Sequence, residues 1–346
     1  MTGSVTLHDV ARRAGVSLAT ASRALNGSAN RVVGEELRER VLRAAAELRY
    51  SPNAHAQAMA RGRTNIVGLS LHDIADPYFS AVAAGVMREA EAHGLLVTMA
   101  STERRPGAET DYVGAFRRHW ASVVIVVGSR TDDRAATEQL AEELAAFEAE
   151  GGRAVAVSQP RLPVDTISID NHAGARDLGH ALHDLGHRRF AVLAGPTELL
   201  TATERVAGFR EALTRHGGRL APEHVVPGPF TRDGGYAAMR ELLDRDPDVS
   251  CVFAVNDVMA VGAMAALRDR GIDPPTGMAI AGFDDIATLR DVNPGLTTVR
   301  IPLEEIGALA VRLALDDGVA RPRVHRVAGE VVLRPSTPRL PTPRRP

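Results

Sequence analysis

At 346 residues the chain is too long for one small module and of a size for two or three domains. Its 45% hydrophobic and 24% charged residues are ordinary globular values and exclude wholesale disorder. The formal net charge of −2 conceals an asymmetry: residues 1–63 hold ten Arg against five acidic residues, about +5, leaving about −7 for the rest. A basic head on an acidic body points to a phosphate-bearing partner at one end.

The opening residues MTGSVTLHDV contain neither a basic stretch nor an apolar one, so no signal peptide is expected. No run approaches the roughly 18 apolar residues of a membrane span, which makes the reading a cytoplasmic protein without a membrane partner. Thr6-Leu7-His8-Asp9 opens a helix: Thr6 can cap it, and Asp9 lies where a carboxylate favours the positive end of the helix dipole. Val10, Ala11 and Ala14 give this helix an apolar face, Gly15 supplies a turn, and Ser17 caps a second helix from Leu18 to Leu25. Two short helices joined by a tight Gly turn read as a helix-turn-helix, although any helical domain contains such hairpins. Side-chain chemistry favours DNA. Ser17, Thr20, Ser22 and Arg23 set hydroxyls and a guanidinium near the N-terminal half of the second helix, where phosphates and base edges would lie. Arg23 can grip guanine bidentately, and Leu18 and Ala19 can meet thymine methyls. A third helix over residues 35–48 carries Leu37, Val41, Ala45 and Leu48 at a spacing that closes a small core.

Beyond residue 51, strand and helix patterns alternate. Apolar β-rich runs occupy residues 66–71, 95–100, 123–127, 154–157, 166–169, 190–194, 251–255 and 279–283. Amphipathic segments lie between them, at 79–93, 134–149, 177–185, 203–216 and 257–270. The pattern predicts an α/β fold: an N-terminal all-α helix-turn-helix head and two doubly wound parallel lobes. The lone Cys251 sits in an apolar strand and reads as core. Strand C-terminal ends face the ligand cleft in such folds. That rule selects Asp73, Tyr78 and Phe79 after the first strand, Asn256 and Asp257 after the strand of Cys251, and Asp284 and Asp285 after residues 279–283. No nucleophile-elbow, phosphate-loop or zinc-protease motif occurs, so neither catalytic residues nor a metal or other cofactor are expected, and the chain does not read as an enzyme. His180, His183 and His187 come closest to ligand spacing and read as exposed helix residues. A helix over 303–315 and a strand over 330–333 follow, and the Pro- and Arg-rich residues 338–346 read as a disordered tail.

The strings VTLHDVARRAGVSLATASRALNG and RVLRAAAELRYSPNAHAQAMARGRT closely resemble the head of the lac repressor family of bacterial transcription regulators, and the resemblance continues over about residues 5–337. It implies a DNA-binding head (1–50), a hinge helix (51–63) and an effector-binding, dimerising core (64–337). The core would comprise an N-lobe (about 64–166 and 297–321) and a C-lobe (about 167–292 and 322–337), as in periplasmic sugar-binding proteins. By resemblance, Ser17 to Arg23 enter the major groove, with Leu18, Ala19 and Arg23 on bases, Thr20, Ser22 and Asn26 on backbone, and Thr6 beside them. Asn53 would cap the hinge helix, with Ala56 and Met59 toward the minor groove. Met59 stands where a wedging Leu is usual, a substitution of similar length and greater flexibility. The family's phosphate-facing hydroxyls on the third helix are absent, with Gly34 and Leu37 in their place. In the cleft, Arg205 matches an arginine that grips effector hydroxyls or carboxylates, Phe230 a stacking aromatic, and Asn256, Asp284, Tyr78 and Phe79 further contacts. Each has a plainer reading: Asp284 as a turn residue, Phe230 as core, Arg205 as half of an ion pair on a solvated helix face. Ser158 replaces a frequent Asp, and Leu199 stands where purine-responsive relatives carry Arg, which favours a sugar or sugar derivative over a nucleobase. The implied protein is a homodimeric repressor on a pseudopalindromic operator, released or held by that small molecule.

Overall fold

A computed structural model describes residues 5–26, 33–50, 63–316 and 322–341. The chain divides into a unit up to Thr64 and a unit from Asn65 onward. The expected hinge helix, with Asn53, Ala56 and Met59, lies outside the described residues.

The first unit consists of α1 (Leu7–Ala14), α2 (Leu18–Asn26) and α3 (Glu35–Glu47). Thr6 and Asp9 form a reciprocal capping box, the Asp9 amide donating to the Thr6 hydroxyl and the Thr6 amide to the Asp9 carboxylate. Gly15 ends α1 at φ 63°, the left-handed conformation that glycine adopts without penalty. Arg40 of α3 donates to the Ala14 carbonyl at 2.6 Å, tying the third helix to the end of the first. The core comprises Val10, Ala11, Ala14, Ala21, Ala24, Val41, Ala44 and Ala45. Leu37, expected inside, is 37% exposed: it lies one turn beyond the end of the small apolar contact.

The second unit contains two parallel sheets. In the first, β2 (Leu96–Ser101), β1 (Ile66–Leu71), β3 (Val123–Val127), β4 (Arg153–Val157), β5 (Asp165–Ile169) and β11 (Val324–Val327) lie side by side in that order. The second runs β7 (Val225–Pro227), β6 (Phe190–Gly195), β8 (Cys251–Ala254), β9 (Ala279–Ala281). An antiparallel pair, β10 (Thr298–Arg300) with β12 (Glu330–Val332), lies at the crossing between lobes. Helices α4 (Pro77–Ala92), α5 (Ala108–Arg118), α6 (Arg134–Ala149) and α11 (Leu303–Leu315) belong to the first lobe. Helices α7 (Asn171–Asp184), α8 (Leu200–Arg215), α9 (Arg232–Asp244) and α10 (Asp257–Asp269) belong to the second.

The lobe boundaries differ from expectation. Val324–Val327 pairs with β5 and so extends the first sheet, whereas it was assigned to the C-lobe. Residues 298–300 go the other way, since Thr297 bridges Ala281 and Arg300 bridges Asp284 in the second lobe. The edge position of β11 is fixed by a buried ion pair: Arg323 clasps the fully buried Asp165 at 2.7 Å through a side chain that also reaches Asp316. The tail is ordered further than its composition suggests. Leu340 N–H donates to the Leu185 carbonyl at 2.7 Å and Arg339 reaches the Asp184 carbonyl, so residues 338–341 are described while 342–346 are not.

Candidate functional site

Two surfaces carry the chemistry, one in each unit. On the head, Ser17 accepts from the Thr20 amide at 3.1 Å, which starts α2 and pairs the two hydroxyls 2.8 Å apart. Because Ala21 and Ala24 turn inward, Ser17, Leu18 and Ala19 face solvent, and Thr20, Ser22 and Arg23 are half-buried at the margin. Leu18 is 49% exposed, an apolar side chain held outside the core at the start of a helix. An exposed apolar residue flanked by hydroxyls and a guanidinium is a surface suited to base edges and thymine methyls. Thr6 is committed to its helix cap, its hydroxyl donating to Asp9 at 2.6 Å. The side chain of Asn26 is outside the description.

In the second unit, a cleft of about 620 Å³, mouth included, lies between the lobes at the carboxyl ends of their strands. Six of the nine expected residues line it, Tyr78, Phe79, Arg205, Phe230, Asn256 and Asp284, while Asp257 lies behind the wall and Asp285 pairs with Arg300 and Arg334. Asp73 does not line it either. Its carboxylate turns back to accept from the Ala75 amide at 2.9 Å, and Asp76 takes the place in the wall.

Arg205 is the centre of the array and is 2% exposed, which overturns the reading of a solvated helix face. Its Nε donates to Asn171 Oδ1 at 2.9 Å, Nη1 to the Val255 carbonyl at 2.7 Å, and Nη2 to Asp284 at 2.8 Å. The guanidinium stacks 3.8 Å from the Phe283 ring centre. Five N–H groups on a guanidinium less these three leave two donors for a bound oxygen. Burial pushes Asp284 up to about 6 against the pull of Arg205. Burial likewise raises Asp76, whose carboxylate caps α4 through the Tyr78 amide, and raises the Tyr78 phenol, which stays a neutral donor. Asn256 caps α10 through its Oδ1 at 2.9 Å from the Met259 amide. Carboxylates, amides and an arginine against Phe230, Tyr78 and Phe79 form a lining of sugar-binding type: paired polar groups for hydroxyls, ring faces for C–H surfaces.

Asp257, next to the cleft, is fully buried and bonds the Thr298 hydroxyl at 2.7 Å and the Ile286 amide at 3.0 Å. Burial, with Asp284 nearby, pushes its carboxyl up to about 7. The folded chain therefore binds a proton that the unfolded chain has released above pH ~4, so this group's contribution to stability falls as pH rises from about 4 to about 7. The expected swing is at most about 4 kcal/mol. Asp257→Asn should flatten the slope of melting temperature against pH over that window; an unchanged slope would refute the assignment.

The lobes are clasped at one side of the cleft. Leu200 N–H donates to the Arg130 carbonyl at 2.9 Å, and Thr201 N–H donates to Ser129 Oγ at 3.0 Å. Just past β4, the amide of Gln159 donates to Thr201 Oγ1 and to Glu204 Oε2, both at 3.1 Å. Asn171 also donates to Glu204 at 3.0 Å, so one hydrogen-bonded chain links the clasp to Arg205. His72, Asp76, Arg104, Gln159, Asn171 and Thr201 line the cleft without having been selected from sequence. Asp76 before Pro77 carried a helix-cap signal, and His72 follows the first strand directly; the others come together only through the fold.

A basic helix-turn-helix unit joined in one chain to a two-lobed core with a polar, aromatic-walled cleft defines a DNA-binding regulator with a small-molecule site. Comparison with known proteins gives the family. Residues 6–53 match the model of bacterial regulatory proteins of the lacI family, and residues 180–337 match a periplasmic binding protein-like domain. The chain is 36% identical to the HTH-type transcriptional regulator CelR of Thermobifida fusca, covering 90% of this chain and 91% of that protein. It is 34% identical to GalS of Salmonella typhimurium, covering 90% and 89%. Among solved structures it resembles a CelR–cellobiose complex (TM-score 0.70, 32% identity, 96% of this chain and 99% of that one). It also resembles the lac repressor dimer bound to operator and the anti-inducer ONPF (TM-score 0.84, 27% identity, 97% and 100%). The chain belongs to the lac repressor family. It is a transcriptional regulator of the helix-turn-helix type and not an enzyme. Among the described residues no helix is long and apolar enough to cross a membrane.

Proposed function

We propose that the protein is a cytoplasmic homodimeric repressor whose two heads hold a pseudopalindromic operator and whose interlobe cleft takes a sugar that governs the grip. The observation that carries the reading is the buried Arg205 array facing Phe230 and Tyr78 in a chain that also presents Leu18 and Ala19 at the start of an exposed helix. The relatives' named ligands, cellobiose and operator, support both halves. Dimerisation is supported by an apolar surface on neighbouring elements of the first lobe, where Met87, Leu96 and Met99 are each more than two-fifths exposed. On this reading Thr20, Ser22 and Asn26 hold backbone while Leu18, Ala19 and Arg23 read bases, with Thr6 and Ser17 beside them and Asn53, Ala56 and Met59 in the hinge. Sugar bound to Arg205, Asn256 and Asp284 stabilises one lobe angle, and a difference of a few kcal/mol between the two angles suffices to change operator occupancy.

Operator affinity is expected to fall steeply with salt as phosphate counterions are released. Arg23→Ala should lose about 1–3 kcal/mol per half-site and relax base preference at one position of each. The check is selection from a randomised DNA pool with wild type and variant. An identical consensus from both would remove Arg23 from the reading surface.

A further inference from the structure

A second cavity, about 1360 Å³ with its mouth, adjoins the cleft and shares His72, Arg104, Ser129 and Leu199 with it as a common wall. We infer that the effector is a neutral glycoside of at least two sugar units, one ring in the Arg205 cleft and the next in this side chamber, with the Arg104 guanidinium at the join. The inference rests on the sugar reading above and deepens it.

Arg104 follows the C-terminal end of β2 in a left-handed pair, Glu103 at φ 52° and Arg104 at φ 56°, held where the Arg104 amide donates to Thr102 Oγ1 at 3.2 Å. Left-handed backbone at two successive non-glycine residues costs roughly 1–3 kcal/mol each and persists where it aims a side chain. Its nearest carboxylate is Asp73, at 3.9 Å, too long for a hydrogen bond. The buried Nε of Arg104 has no acceptor among the described residues, nor has the Nε of Arg130, a residue 5% exposed that lines the side chamber. Arg130 is otherwise committed, its Nη2 on Glu109 at 2.6 Å. The Arg104 side chain is nonetheless 27% exposed, so its terminal nitrogens, not the enclosed Nε, are the donors open to ligand oxygens at the chamber wall.

Charge selects the class of ligand. Arg104, Arg105 and Arg130 face Glu109, Asp132, Asp133 and Glu198 around the chamber, so guanidiniums do not exceed carboxylates. Burial pushes Glu109 up, yet Arg130 and His72 together hold it down at about 2, so it stays an anion. A phosphate would meet that fixed negative charge. Sugar hydroxyls, which donate to carboxylates and accept from guanidiniums, satisfy both signs. The chamber also offers the hydroxyls of Thr110 and Thr137.

The test is calorimetric titration of the full chain with glucose, galactose, cellobiose, maltose, lactose and glucose 6-phosphate, repeated on Arg104→Ala and on Thr110→Trp, which fills only the side chamber. A disaccharide should bind at least about tenfold more tightly than its constituent monosaccharides. Both variants should abolish that ratio, and Thr110→Trp, whose side chain lines the side chamber alone, should leave monosaccharide affinity within about twofold. A monosaccharide or glucose 6-phosphate binding as tightly as any disaccharide overturns the two-ring assignment and leaves the sugar reading intact. A disaccharide preference that survives both variants overturns the placement. Binding of none of these sugars removes the inference and the sugar reading together.

Discussion

Arg205→Ala is expected to cost the core about 3–5 kcal/mol of stability, lowering its melting temperature by roughly 10 °C, and to abolish the response to sugar. The size of the effect follows from what the substitution leaves behind. Asp284 is 4% exposed and among the described residues takes its ion-pair partner from Arg205 alone, so the variant holds a buried, unpaired carboxylate beside Asp76. The same change opens the Asn171 Oδ1 and Val255 carbonyl acceptors and uncovers the Phe283 ring. Stability and recognition are separable by a cycle. Arg205→Ala with Asp284→Ala removes both charges and should recover much of the lost stability, since an absent pair is cheaper than a broken one. Sugar response should stay absent in the double variant. Recovery of the response there would make Arg205 a structural residue only.

Much of this site was legible because topology, more than residue identity, places it. Once alternating strands and helices imply parallel sheets, residues just past the strands are candidates, which selected Tyr78, Asn256 and Asp284. The rule fails where the chain turns at once into a local hydrogen bond, as Asp73 does to Ala75. Asn171 and Arg104 escaped because their value lies in the partners they meet across the fold, Glu204 and Arg205 for the first and the second chamber for the other. Two helices are weakly marked in the sequence. Ala108–Arg118 and Arg232–Asp244 carry Gly114, Gly234 and Gly235, which weaken a helical pattern read in isolation. In the fold Gly235 is required, since a Cβ there would lie 2.1 Å from the Met259 carbonyl oxygen on the adjoining helix. Sheet membership of Val324–Val327 was similarly illegible, being decided by the Asp165–Arg323 pair, which is 158 residues apart in sequence.

Leu18→Glu should abolish specific operator binding while leaving the core's response to sugar untouched. Leu18 begins α2 at 49% exposure and contributes little to the eight-residue core of the head, so the substitution removes no buried packing. A glutamate at the first turn also suits the helix dipole, so the head should keep its helicity. Against DNA the same carboxylate meets phosphate and base acceptors, and it replaces an apolar contact to a thymine methyl. Each half-site should lose about 1–3 kcal/mol, and two heads acting together about 2–6, or roughly 30-fold to 10⁴-fold in affinity. Fluorescence anisotropy against the selected operator reads the loss, far-ultraviolet circular dichroism checks the helices, and a thermal shift with sugar checks the core. Because the head and the core are separate compact units, the last two signals should match wild type. Unaltered operator affinity in a folded variant would show that the exposed start of α2 is not laid against bases, and the head's DNA contact would have to be sought on another face.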